Sequence, residues 1–152
     1  MTNKANMGKW AEKQAALYLE ECSRESSYFA WHRFPDARAA RGLLAAQPAD
    51  FLVSFKSFYG NRTIYLEVKE CANPKRLPKA KIGQYGLLYK FWLTGAHVLV
   101  LVFMSATGKW VGLDGETLFQ YDECPASFPL HDLKTYDSAA EALADYFKRL
   151  DS

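Results

Sequence analysis

Hydrophobic residues recur along this chain with the two periods that distinguish helices from strands. From residue 8 to about residue 23 they return every three or four positions, which predicts an amphipathic helix. Its apolar stripe consists of Ala11, Ala15, Tyr18, Leu19 and Cys22. Glu12 falls on the same stripe by spacing, with Ala16 at i+4. Its carboxylate therefore either faces the interior or lies at the edge of the stripe with its head in water.

Three strands are predicted after this helix. The first covers residues 28–34, the second residues 50–55 and the third residues 63–69. A turn at residues 59–61 joins the second and third as a hairpin with a long connection, or as an equivalent antiparallel pair. The segment 36–47 is predicted to be a loop or a short broken helix.

The second half of the chain begins with a basic, proline-containing segment at residues 71–81, which is predicted to be a loop. Residues 82–93 have helical periodicity, and Gly95 is expected to end that helix. Residues 98–104 are almost continuously apolar, which is typical of a strand that is covered on both faces. Weaker patterns at 110–113 and 117–120 predict peripheral strands. A capping box at residues 138–141 predicts a last helix to about residue 150.

The order of these elements predicts one α/β domain over residues 1–152, with a mixed central β-sheet flanked by helices. A helical crossover joins strand 63–69 to strand 98–104, so these two strands should be parallel neighbours. Hydrophobic residues make up 49% of the chain and aromatic residues 15%, a composition that excludes a disordered protein.

Composition also bears on where the protein works. Residues 1–6 are polar and no apolar segment follows them, so no secretory signal peptide is expected. The longest apolar stretch, residues 97–104, is too short to span a bilayer. The cysteines Cys22, Cys71 and Cys124 lack metal-type spacing and are expected to be reduced thiols. These features predict a cytoplasmic protein without a membrane partner.

The net charge of +2 hides an uneven distribution. Residues 1–110 contain 16 Lys and Arg against 8 Asp and Glu, whereas residues 111–152 contain 3 against 9. Between Lys69 and Lys90 there are six basic residues and one acidic residue, Glu70. Such clustering indicates either a surface that binds a polyanion or a solvated basic face.

Candidate chemistry lies on the second and third strands. Residues two apart in a strand point the same way, so Glu67 and Lys69 share one face while Leu66 and Val68 pack on the other. Asp50 opens the neighbouring strand. Two carboxylates that share a hard divalent cation beside a lysine form a site that can cut phosphodiester bonds. The structural alternative is a turn residue at Asp50 and a surface ion pair worth under about 1 kcal/mol.

Taken together, these residues resemble the PD-(D/E)XK nuclease superfamily, and within it the RecU-type Holliday junction resolvases. The resemblance runs from the first helix to about residue 104 and rests on Glu12, Asp50-Phe51, Glu67-Val68-Lys69, Gln84 in the following helix and the strand 98–102. It implies a restriction-endonuclease-like core. Two features depart from the pattern: Ala49 separates Pro48 from Asp50, and the segment 36–47 is short where RecU-like enzymes have a projecting stalk.

The resemblance also implies roles for individual residues. The implied ligands of Mg²⁺ or Mn²⁺ are Asp50, Glu67, the backbone carbonyl of Val68 and, through water, Glu12. Lys69 would hold its ammonium against the attacking water or the developing phosphorane charge. Gln84 would position the water or the phosphate. The residues implied to grip DNA phosphates are Arg33, Arg38, Arg41, Lys75, Arg76, Lys79 and Lys81.

The function implied is that of a magnesium-dependent endonuclease, a Holliday junction resolvase of DNA recombination, DNA repair or phage DNA processing. A homodimer is expected, because a four-way junction has approximate two-fold symmetry and two identical sites would nick it symmetrically. The setting would be the cytoplasm of a bacterial or phage-infected cell. Two alternatives stay open: another PD-(D/E)XK DNA nuclease of restriction, repair or replication, and a non-catalytic nucleic-acid-binding protein with this fold.

Overall fold

A computed structural model describes residues 4–36 and 47–152 of the chain. Four helices and seven strands follow one another in these residues. In chain order they are α1 (Lys4–Glu25), β1 (Phe29–Arg33), β2 (Phe51–Ser57), β3 (Gly60–Cys71), β4 (Arg76–Pro78), α2 (Tyr85–Leu93), β5 (His97–Met104), β6 (Lys109–Asp114), α3 (Gly115–Phe119), β7 (Ser127–Pro129) and α4 (Ala139–Asp151).

Five of the strands form one mixed sheet in the order β1-β2-β3-β5-β6. β1 pairs with β2, β2 with β3, and β5 with β6, all antiparallel. β3 and β5 are parallel, and α2 lies in the crossover between them. The predicted fold class, α/β with a mixed central sheet flanked by helices, is confirmed, and so is the parallel pairing of the two central strands.

One face of the sheet is covered by α1 and α4. Large buried side chains in this core include Leu19, Phe51, Ile64, Leu66, Trp110 and Leu143. The acidic C-terminal part of the chain thus caps the core, because α4 buries Leu143 and Tyr146 here. No helix within the described ranges is both long and apolar enough to cross a membrane.

The other face is covered by α2, α3 and a small second sheet formed by β4 and β7. Its core includes Leu77, Leu88, Val98, Val100, Leu113 and Phe128. β5 sends Leu99 and Leu101 into the first core and Val98 and Val100 into the second. The prediction of a strand covered on both faces is therefore confirmed.

Three sequence predictions need correction. Residues 117–120 do not form a strand, since α3 spans Gly115–Phe119. Asp114 caps that helix: its Oδ1 accepts the N–H of Thr117 at 2.9 Å, and a short apolar run does not by itself distinguish a helix from a strand. The basic segment is not wholly a loop, because it contains β4 and a 3₁₀ turn at Lys79–Lys81. The hairpin connection is short rather than long.

The hairpin between β2 and β3 has only Phe58 and Tyr59 outside the two strands. The hydroxyl of Ser57 donates to the carbonyl of Gly60 at 2.8 Å and accepts the N–H of Tyr59 at 3.1 Å, which braces the turn. Gly60 has φ of 119°, in the region that favours glycine. Both strands are consequently longer than predicted, and β3 extends well beyond the start of β2.

Candidate active site

The candidate site is built on the part of β3 that extends past β2. β2 begins at Phe51, which pairs with Leu66, whereas β3 continues to Cys71. Within the described residues no strand pairs with the backbone of β3 beyond Leu66 on the β2 side, and this side is called the open edge of β3 below. The N–H of Asp50 donates to the Leu66 carbonyl at 3.1 Å on that side, and the Nζ of Lys81 donates to the Glu70 carbonyl there at 3.1 Å.

Val68 lies between Leu66 and Glu70 and has the same parity along the strand. Because the N–H and C=O of one strand residue point to the same neighbour, both polar groups of Val68 face the open edge. The N–H donates to Oδ2 of Asp50 at 2.8 Å. By the same parity the Val68 carbonyl points outward beside the Asp50 carboxylate, and its role as a metal ligand stays a prediction.

Two further carboxyl groups converge on Asp50 from opposite faces of the sheet. Glu67 pairs with Val100 and points to the second core, whereas Glu12 comes from α1 on the first face. The carboxyl groups of Glu12 and of Glu67 each interact with the carboxyl group of Asp50. The structure thus brings together Glu12, Asp50 and Glu67, three acids from three elements, and leaves the Glu12 side chain 23% exposed.

This clustering changes the protonation of the acids. Glu67 is only 6% exposed, and its burial, together with the neighbouring Asp50, raises its pKa to about 9 even though Lys69 opposes the shift. Burial and Asp50 likewise raise the pKa of Glu12 to about 7, against the opposing charges of Arg33 and Lys69. Both shifts favour the protonated forms of Glu12 and Glu67.

Two basic residues accompany the acids. The Nζ of Lys69 lies 4.0 Å from Oε1 of Glu67, and its side chain is 30% exposed. Arg33 donates from a guanidinium nitrogen to Oε2 of Glu12 at 3.2 Å, with its guanidinium 5.8 Å from the centre of the Phe51 ring. Arg33, predicted to bind DNA, thus contacts an acid of the site directly.

Gln84 differs from its predicted setting. It is not inside the helix but is the residue that precedes it, with φ of −122° and ψ of 39°. Its side chain makes no capping hydrogen bond, and in the described part of the chain no hydrogen bond joins it to the three acids. Its role in positioning a water or a phosphate stays a prediction.

The predicted DNA-binding residues of the basic segment have different environments. Arg76 donates to the hydroxyl of Ser127 at 2.6 Å and to the Ser127 carbonyl at 3.0 Å. The Nζ of Lys79 lies 5.2 Å from the centre of the Tyr85 ring. The side chain of Lys75 is exposed. The predicted residues Arg38 and Arg41, with the rest of segment 37–46, lie outside the described residues.

Sequence reasoning missed one buried acid beside the site. Glu70 is 8% exposed, and its Oε1 accepts the hydroxyl of Ser105 at 2.5 Å. In the sequence, Glu70 stands out only as one negative charge in a basic segment. The two-residue period of β3 could have revealed it, because that period places Glu70 on the same face as Leu66 and Val68.

The donor set fits a hard cation that keeps part of its water shell. In the ranges that the structure describes, no group of three or more His, Cys, Asp or Glu side chains is arranged so that it could hold a metal ion. Magnesium does not require such a group, since it is commonly bound through one or two carboxylates with waters in the other positions. Asp50, Glu67 and the Val68 carbonyl present oxygen donors of that kind at one point of the sheet edge.

No protein-family model matches this sequence, and no curated protein matches it. Solved structures do match, among them that of Hjc, a Holliday junction resolvase from the archaeal hyperthermophile Archaeoglobus fulgidus. The two chains are 18% identical, the match covers 80% of this chain and 86% of the other, and the TM-score is 0.47. A likeness this distant does not establish the chemistry of the site, which depends on the geometry of the chain itself.

Proposed function

We propose that this protein is a metal-dependent endodeoxyribonuclease that hydrolyses phosphodiester bonds in branched DNA, as a Holliday junction resolvase. The observation that carries the proposal is the convergence of Glu12 and Glu67 on Asp50, with the ammonium of Lys69 4.0 Å from Glu67. Placing three carboxyl groups side by side with little solvent costs free energy. A site that is completed by a cation accounts for this arrangement.

Asp50, Glu67 and the Val68 carbonyl would hold Mg²⁺ or Mn²⁺, and Glu12 would reach it through water. When bound, such a cation lowers the pKa of a water molecule and neutralises charge on the scissile phosphate. Glu12 and Glu67 would release their protons as the cation binds. Asp50 keeps its orientation throughout, because the N–H of Val68 fixes one of its oxygens.

Lys69 would supply a positively charged hydrogen-bond donor beside the acids. Its ammonium lies on the same face as Glu67 and is partly shielded from solvent. From there it would donate hydrogen bonds to the attacking water or to the phosphate oxygens as negative charge develops on them. Arg33 would orient Glu12, and Gln84 is proposed to position the water or the phosphate from the start of α2.

DNA binding is proposed to use the basic residues on either side of the site. Lys75, Arg76, Lys79 and Lys81 would contact phosphates flanking the cut, and Arg33, Arg38 and Arg41 would contact those on the other side. Two copies of the chain would cut a four-way junction symmetrically. The enzyme would act in recombination or repair, or in phage DNA processing, within the cytoplasm of a bacterial or phage-infected cell.

The direct test is a cleavage assay on an end-labelled four-way junction and on a linear duplex of the same sequence. The protein is incubated with each substrate in Mg²⁺, in Mn²⁺ and in EDTA, and the products are mapped at nucleotide resolution. We expect paired nicks near the branch point in either metal and none in EDTA. Glu67→Gln should abolish them, whereas Glu123→Gln, at an exposed acid away from the site, should not.

Each other result points to one alternative. Equal cutting of junction and linear duplex would favour another PD-(D/E)XK DNA nuclease over a junction resolvase. Salt-sensitive binding of DNA without cleavage in any metal would favour a non-catalytic nucleic-acid-binding protein. Cleavage that persists in both EDTA and the Glu67→Gln variant would contradict the proposed chemistry.

A further inference from the structure

Lys81 occupies a position that distinguishes it from the other basic residues of its segment. It ends the 3₁₀ turn Lys79–Lys81, which is anchored on both sides. The N–H of Lys79 donates to the carbonyl of Ala126 at 2.9 Å, and the next residue, Ile82, is buried in the second core. The half-buried side chain of Lys81 then reaches the open edge of β3 and donates to the Glu70 carbonyl at 3.1 Å.

The acceptor of this hydrogen bond lies close to the candidate metal ligand. Glu70 is two residues beyond Val68, and both carbonyls point to the same open edge. A strand advances about 3.3 Å per residue, so the two carbonyl groups are roughly 6.6 Å apart along the edge. That spacing is comparable with the separation of neighbouring phosphates in one DNA strand. An ammonium has three N–H donors, and only one of them is used by Glu70.

We infer that Lys81 binds the phosphate that neighbours the scissile one, and that the open edge of β3 is the track of the cut strand. This inference rests on the proposed function, because it takes the acid cluster as the point of cleavage. The Glu70 carbonyl holds the ammonium in place before DNA arrives, so less side-chain entropy is lost on binding. Lys81 is therefore a residue that positions the substrate strand.

The other basic residues of the segment are less suited to this task. Arg76 already uses its guanidinium on Ser127, and the ammonium of Lys79 lies over the ring of Tyr85. Lys75 is exposed, and its hydrogen bonds within the described residues, to Asn73 and Leu130, are made by its backbone. Contacts from such residues add affinity without fixing the register of a strand. Lys75 thus provides a matched control in the same segment.

The test is a phosphate-neutralisation scan in EDTA, where no cutting occurs. Junctions that carry a single methylphosphonate at each position around the mapped cut are bound to wild type, Lys81→Met, Lys81→Arg and Lys75→Met, at several salt concentrations. We expect Lys81→Met to lower the salt slope of log K by about 1. A methylphosphonate next to the scissile phosphate should weaken binding by the wild type. It should cause no further loss of affinity in Lys81→Met, because both changes remove the same contact.

The controls separate this role from a purely structural one. Lys75→Met should lose affinity additively with a methylphosphonate next to the scissile phosphate, and Lys81→Arg should keep the dependence on that phosphate. If Lys81→Met lowers the melting temperature but stays sensitive to every methylphosphonate, the lysine only braces the turn and the inference is overturned. Cleavage of the unmodified junction in Mg²⁺ is measured in parallel, so a failure of the proposed function would appear there, independently of the binding scan.

Discussion

The carboxylate of Asp50 takes the place of a strand residue, because its Oδ2 accepts the N–H of Val68 at 2.8 Å just before β2 begins at Phe51. This bond satisfies a backbone donor at the open edge and holds the carboxyl group beside the Val68 carbonyl. The structural role of Asp50 as a residue at the start of a strand and its proposed chemical role are therefore compatible. The contact that continues the ladder past Phe51 also orients the proposed metal ligand.

Two substitutions at Asp50 distinguish its role in stabilising the fold from its proposed role in cleavage. Asp50→Asn keeps an oxygen that accepts the Val68 N–H, whereas Asp50→Ala leaves that donor without a partner. We expect both variants to lose metal-dependent cleavage, and Asp50→Ala to be less stable than Asp50→Asn by about 1–3 kcal/mol. Urea unfolding in EDTA measures the difference. Equal stability of the two variants would show that the hydrogen bond contributes nothing to the fold.

The raised pKa of Glu67 should make the stability of the metal-free protein depend on pH. Its pKa in the folded state is raised from 4.5 to about 9, so the folded state binds more protons than the unfolded state between these values. The contribution of Glu67 to stability is fully present below pH 4.5 and is lost as the pH rises through 9. The loss is at most about 1.4 kcal/mol per pH unit for one proton.

Unfolding free energies from pH 5 to 9 in EDTA test this prediction. The wild type should lose stability over this range, and Glu67→Gln, which is neutral at every pH, should lose markedly less. Glu123→Gln serves as the control, because that acid is exposed. If the unfolding free energies of Glu67→Gln and of the wild type depend on pH in the same way, Glu67 is ionised throughout this range and its pKa is not raised.

Lys69 should matter for the chemical step more than for binding. We expect Lys69→Met to reduce cleavage by about 10² or more, as the loss of one preorganised donor at a developing charge does. Lys69→Arg should not restore activity, because a planar guanidinium cannot replace a compact ammonium at this position. Junction affinity in EDTA should stay within about two-fold. Lys90→Met, at an exposed position on α2, is the control, and an equal loss of cleavage there would refute a specific role for Lys69.

Much of the fold could be predicted from the pattern of residues. Three features were predicted correctly. Hydrophobic periodicity specifies the long helix α1 and the doubly covered strand β5, and the crossover rule specifies the parallel pairing of β3 with β5. α3 was predicted wrongly as a strand, because the decisive feature is a single capping contact from Asp114. The strand β4 was missed because three residues carry no periodic signal, and its partner β7 is distant in sequence.

The candidate site was predictable in part. Strand periodicity placed Glu67 and Lys69 on one face, whereas the helical stripe left Glu12 either facing the interior or at the edge of the stripe. The convergence of Glu12 and Glu67 on Asp50 depends on how far β3 extends beyond the start of β2. The predicted long hairpin connection gave no indication of this extension. The contact of Lys81 with the edge of β3 could not be read from sequence, since it depends on the 3₁₀ turn held by Ala126.

The most direct test of the central claim is the position of Mn²⁺ in anomalous diffraction maps of crystals grown with that ion. We predict one strong peak bonded to the carboxylates of Asp50 and Glu67 and to the Val68 carbonyl, and no peak there in crystals of Asp50→Asn. Crystals that show no peak between Glu12, Asp50 and Glu67 at millimolar Mn²⁺ would contradict the account.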